Sequence, residues 1–140
     1  MKMVEKIVDA MDSVKGKTIC VLGLTFKPET DDMRDAPALV ILPELIKKGA
    51  KIKAFCPQGF KEAKWRLADH SDSIEYCNDS YEAASGSSAV VILTEWNQFR
   101  GLDLERIKTS MKDNFFFDLR NIYSADDSIR KIFKYSGVGV

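Results

Sequence analysis

Apolar positions along this chain follow two rhythms, helical spacings and short continuous runs, and the two alternate. Val4, Ile7, Val8 and Met11 recur at three-and-four spacing, which predicts an amphipathic helix over residues 2–13 ending near Gly16. Lys17 to Leu22 reads as a buried strand. Asp35 is the expected N-cap of a helix over residues 36–48, with Pro37 in its first turn and Gly49 as its stop. Pro43 inside that helix is expected to kink it or to remove one hydrogen bond. Lys51 to Phe55 alternates charged and apolar positions, as a half-buried strand does. A helix follows over residues 60–68, with Trp65 and Leu67 as packing positions. Ile74 to Cys77 is a short strand and Asp79 to Ser85 a short helix. Ala89 to Leu93 is the most apolar strand and so the central one. Residues 103–111 form a helix, Asn114 to Asp118 a buried strand with three consecutive phenylalanines, and residues 126–134 the last helix.

Strands that alternate with helices imply an α/β fold, a Rossmann-like three-layer parallel sheet with helices on both faces. No repeat or linker interrupts residues 15–135, and the first helix stands outside the alternation. At 140 residues the chain suits one domain with its own core. Lys plus Arg (21) equals Asp plus Glu (21), which argues against a global nucleic-acid or anionic-membrane surface. No apolar run approaches the length of a bilayer, and the N-terminus lacks a signal-peptide core, so a cytoplasmic protein is expected. Three cysteines give no disulfide framework, and Cys20, Cys56 and Cys77 have no histidine near them in sequence. The sole histidine, His70, lies in a polar stretch and reads as a solvated loop residue, so neither a zinc site nor a Cys-His nucleophile is expected.

Two near-motifs fail on spacing. Gly16-Lys17-Thr18 resembles the end of a P-loop, but Met11 stands where the first glycine belongs and the triplet precedes a strand. Gly23-Leu24-Thr25-Phe26-Lys27 follows the first strand but lacks the second and third glycines of a dinucleotide fingerprint. The domain is therefore not expected to hold a nicotinamide cofactor in the usual way.

Chemistry concentrates after three strands. Lys27 sits just past the first, beside Phe26 and before Pro28, where a parallel sheet opens its ligand crevice. Asp31 and Asp32 read as an acid–base pair or, more simply, as loop residues near a helix start. Arg34 either pairs with them or reaches an anion. Thr94-Glu95-Trp96-Asn97-Gln98-Phe99 follows the central strand, and its aromatics read equally as a ligand wall or as core caps. Arg120 follows the strand ending at Asp118 and either bridges to that carboxylate or points into the crevice. Lys27, Arg34 and Arg120 on one sheet edge could grip a pyrophosphate, each charge-assisted bond contributing about 1.5–3 kcal/mol.

Gly16-Lys17-Thr18-Ile19, Val21-Leu22-Gly23-Leu24-Thr25-Phe26-Lys27-Pro28, Thr30-Asp31-Asp32-Met33-Arg34-Asp35-Ala36-Pro37, Thr94-Glu95-Trp96 and Asp118-Leu119-Arg120-Asn121, in this order, resemble the C-terminal UDP-sugar-binding domain of the UDP-glucose/GDP-mannose dehydrogenase family. The Phe-Lys-Pro and Thr-Glu-Trp forms look most like those of its UDP-glucose 6-dehydrogenases. The resemblance implies a nucleotide-sugar-binding part of an NAD-dependent enzyme that oxidises the sugar's 6-hydroxyl to a carboxylate. It implies that Phe26 and Lys27 contact the UDP-sugar, that Arg120 contacts the substrate and that Arg34 reaches the cofactor across the domain cleft. Residues 1–15 would be the tail of an inter-domain helix used in homodimerisation, and residues 16–140 the UDP-sugar domain. The family's nucleophilic cysteine motif, with its paired glycines, is absent here, so this piece alone is not expected to be active. NAD is expected to be held mainly by the remainder of the dehydrogenase chain. The chain departs from the family at Cys56-Pro57, often Asp-Pro, and at Leu119, often glycine. Open alternatives are a non-catalytic nucleotide-binding or interaction module, and a dehydrogenase of a related sugar such as GDP-mannose or a UDP-hexosamine.

Overall fold

Continuous apolar runs demand cover on both faces of a sheet, and the central strands receive it. The computed structural model describes residues 2–25, 32–34 and 36–138. Among these, β1 (Thr18–Leu22), β2 (Lys51–Phe55), β3 (Ile74–Tyr76), β4 (Ala89–Ile92), β5 (Phe115–Asp118) and β6 (Lys134–Gly137) form one sheet in the order β3-β2-β1-β4-β5-β6. Every pairing is parallel. All of β4 and the last four residues of β1 are buried. The chain runs outward from β1 through β2 to β3, then returns to place β4 on β1's other side. This reversal makes the β1–β4 boundary the switch point, and all carboxyl ends share one edge.

The helices are α1 (Lys2–Met11), α2 (Ala38–Lys47), α3 (Phe60–Arg66), α4 (Ser80–Ala84), α5 (Leu104–Ser110) and α6 (Asp127–Ile132), with 3-10 turns at Ala68–Ser73 and Asn97–Gly101. Val4, Ile7 and Met11 of α1, with Val14, join the same core as the strands. Lys6 donates from Nζ to the Gly137 carbonyl and Lys17 to that of Met11, so α1 is fastened to the domain as well as packed on it. Phe99, Phe116 and Phe117 are the largest fully buried side chains.

Several expectations need correction. The stretch expected to remain helical to residue 134 ends at Ile132, and Lys134–Gly137 forms a sixth strand paired with β5 from Phe115↔Lys134 to Asp118↔Gly137. Its pattern is mostly polar because an edge strand is covered less than a central one. Asp35 lies outside the described residues, and the N-cap position of α2 is Pro37, with no side-chain cap. α2 runs from Ala38 to Lys47 with Pro43 inside it, so the proline, which has no N–H to donate, removes one helical hydrogen bond as expected without ending the helix. Leu67 is buried, but Trp65 is 68% exposed and carries the Arg66 guanidinium 4.9 Å from its ring. His70 sits in the 3-10 turn after α3 and is only partly exposed, unlike the solvated loop expected. All three cysteines are free and buried. No helix among the described residues is long and apolar enough to cross a membrane.

Candidate functional site

At the switch point the loops after β1 and β4 are in direct contact. Gly23 has φ +96°, and its N–H donates to the Phe55 carbonyl at 2.9 Å. A Cβ built there would lie 2.7 Å from Thr94 Cβ and 2.7 Å from the Thr94 nitrogen, so glycine is required for both backbone and space. Thr94 Oγ1 donates to the Thr25 carbonyl at 2.7 Å, and Trp96 Nε1 donates to Thr25 Oγ1 at 3.2 Å. Cys56 Sγ stands 3.9 Å from the same hydroxyl, so the Cys-Pro departure packs a thiol under this cluster. Thr25, Thr94 and Trp96 are all buried, and Phe99 beyond them is in the core. The crevice is thereby filled at its base, and Trp96 and Phe99 act as core caps. Phe26, Lys27 and Asp31 lie outside the described residues.

The chain is described again at Asp32. Its Oδ1 accepts from the Arg34 backbone N–H at 2.9 Å and from Nε at 3.2 Å, while Oδ2 accepts from the guanidinium at 3.0 Å. Those bonds hold the Asp32 carboxyl down at about 2, so it is a fixed anion and not an acid–base group at neutral pH. Met33 is fully buried and anchors this loop, while the Arg34 side chain is 78% exposed. Arg34 borders a concavity of about 640 Å³ with Pro37, Leu39, Val40 and Arg66.

Arg120 does not bridge to Asp118. Its Nε and one terminal nitrogen each lie 2.8 Å from Glu95 Oε2, across from the β4 end. Burial alone would raise the Glu95 carboxyl, but the hydrogen bond and charge of Arg120 outweigh it and hold the carboxyl below its ordinary value. Asp118 instead turns inward and is fully buried. It accepts from the Ile122 N–H at 3.0 Å, the Tyr123 N–H at 2.7 Å and the Tyr135 hydroxyl at 2.7 Å. Burial pushes the Tyr123 phenol up to about 12, and burial together with the Asp118 bond raises that of Tyr135. Asn121, at φ 55°, donates from Nδ2 to the Val138 carbonyl at 2.9 Å and accepts from the Val138 N–H at 2.8 Å. Leu119, the second departure, is buried and so contributes packing below the loop that carries Arg120.

Arg34 and Arg120 thus leave the same sheet edge, on loops after β1 and β5 with β4 between them. The arrangement can present fixed cations to an anionic ligand, and the described aspartates of these loops, Asp32 and Asp118, are structural. Sequence reasoning missed the Thr25–Thr94–Trp96 lock, the Glu95–Arg120 pair and the Asn121 clamp. The only signals for them were a polar triplet at the end of the most apolar strand and an asparagine next to an arginine.

The chain matches the family model described as UDP-glucose/GDP-mannose dehydrogenase family, UDP binding domain, over residues 20–125. It is 42% identical over 133 residues to the UDP-glucose 6-dehydrogenase of Rhizobium meliloti strain 1021, covering 95% of this chain and 30% of that protein. It is 39% identical over 137 residues to the UDP-glucose 6-dehydrogenase TuaD of Bacillus subtilis strain 168, covering 98% of this chain and 29% of that one. Among solved structures, the NDP-N-acetyl-D-galactosaminuronic acid dehydrogenase of Methanosarcina mazei Go1 shares the fold, with a TM-score of 0.77 and 22% identity over 99% of this chain and 28% of its own. The chain therefore spans less than a third of the length of the curated relatives it matches.

Proposed function

Because the chain belongs to the UDP-glucose/GDP-mannose dehydrogenase family as its UDP-binding domain, we propose that it is the nucleotide-sugar-holding part of an NAD-dependent UDP-glucose 6-dehydrogenase. The observation that carries this reading is identity of about 40% to UDP-glucose 6-dehydrogenases over nearly the whole chain, joined to cations on the ligand-binding edge of the sheet. In the full enzyme the sugar's 6-hydroxyl is oxidised in two steps to a carboxylate, with NAD as hydride acceptor. Phe26 and Lys27 contact the UDP-sugar, and Arg120, with Lys27, meets its diphosphate. Residues 1–15 continue a helix from the rest of the chain, through which the full-length protein dimerises in the cytoplasm, and residues 16–140 are the nucleotide-sugar unit.

The turn after β1 lacks the second and third glycines of a dinucleotide fingerprint, and Thr94 packs so closely on Gly23 that a Cβ there would lie 2.7 Å from it. Both features support a site for NAD mainly in the rest of the enzyme, with exposed Arg34 reaching toward it.

Isothermal titration of this chain with UDP-glucose, UDP and GDP-mannose tests the reading. UDP and UDP-glucose are expected to bind modestly, since half of a cleft cannot fully exclude water from its ligand. Lys27→Ala with Arg120→Ala is expected to weaken binding by about a hundredfold or more, two charge-assisted bonds being removed. Binding that survives both substitutions contradicts the assignment, and a preference for GDP-mannose moves it to another sugar.

A further inference from the structure

Thr94, Glu95 and Trp96 leave β4 in sequence and fasten to opposite neighbours. Thr94 and Trp96 are buried and both bond Thr25 on the β1 side. Glu95, between them, bonds Arg120 on the β5 side at 2.8 Å. With both flanking residues locked, the backbone of Glu95 is fixed, and its carboxylate is delivered to one place. Arg120 is held from its own side too, because Asp118 and Asn121 fix the backbone on either side of residues 119 and 120.

A guanidinium carries five N–H donors in a planar fork. Glu95 Oε2 takes Nε and one terminal nitrogen, which leaves the other terminal nitrogen outside the pair. The plane cannot turn without breaking both bonds. A long cationic side chain that is 35% exposed would otherwise sample many rotamers, and ordering it would weaken any ligand contact.

Resting on the reading of Arg120 as a diphosphate contact, we propose that Glu95 is a positioning residue that aims the remaining Arg120 donors at the diphosphate of a nucleotide sugar. Glu95 itself does not touch the ligand. A carboxylate that merely competed with phosphate for Arg120 would have the opposite effect, since its removal would tighten binding.

Titration of UDP and of uridine into this chain and its variants separates the two, with thermal unfolding as the control for folding. Glu95→Ala is expected to weaken UDP binding by about tenfold and to leave uridine unchanged. Glu95→Gln keeps an acceptor oxygen in place and is expected to restore most of the loss. Glu95→Ala added to Arg120→Ala is expected to change nothing further. The proposal is overturned if Glu95→Ala binds UDP as tightly as the parent or more tightly, or if its loss persists undiminished without Arg120. Arg120→Ala weakening UDP while Glu95→Ala does not would remove the positioning role alone. Arg120→Ala binding UDP like the parent would remove both that role and the function proposed above.

Discussion

Gly23 shows how one missing side chain lets two loops meet. Its φ of +96° is left-handed, and a methyl group there would sit 2.7 Å from Thr94. Gly23→Ala therefore combines a backbone penalty with overpacking against a buried residue, together about 3 kcal/mol. The expected result is a melting temperature lower by about 10 °C, read by circular dichroism. Tyr123 makes a prediction in pH. Its hydroxyl donates to the Phe99 carbonyl, and burial raises it from 10.0 to about 12. The folded state thus favours the neutral phenol. Its contribution to stability is complete below pH 10 and is lost as the pH rises from there through about 12. Tyrosinate absorbance is expected to show the fraction from Tyr123 and Tyr135 appearing only as the fold is lost; full titration near the ordinary value in intact protein would contradict this.

The loop after β5 depends on Asp118, which accepts three hydrogen bonds inside the protein. Asp118→Ala strands two backbone N–H groups and the Tyr135 hydroxyl, and is expected to cost about 3 kcal/mol or more by denaturant unfolding. What was legible in the sequence at this scale follows from burial. β1 and β4 could be read directly because strands covered on both faces are continuously apolar. β6 could not, because an edge strand of Lys134, Tyr135, Ser136 and Gly137 has neither an apolar run nor clean alternation. Trp65 was misread because a seven-residue helix has one buried position, Ala63, and the tryptophan lies away from it. Asp118 and Arg120 are close in sequence, yet one turns into the core while the other finds Glu95, 25 positions earlier in the loop after the neighbouring strand. Only the strand order makes that partnership visible.

Across the whole molecule, a reversal of strand order places the loops after β1, β4 and β5 side by side at one edge. The positions of Arg34 and Arg120 on that edge follow from motif order and parallel topology, so their location was readable before their contacts were. The opposite edge, where Lys17, Lys51 and Asn114 stand at the strand entries, carries lysines as well. Backbone amide shift mapping during titration of the labelled chain with UDP tests the central claim most directly. Shifts are expected around residues 24–34, 94–97 and 119–121, along the carboxyl edge. Shifts confined to the entry edge around Lys17, Lys51 and Asn114, or none at saturating UDP, would contradict it.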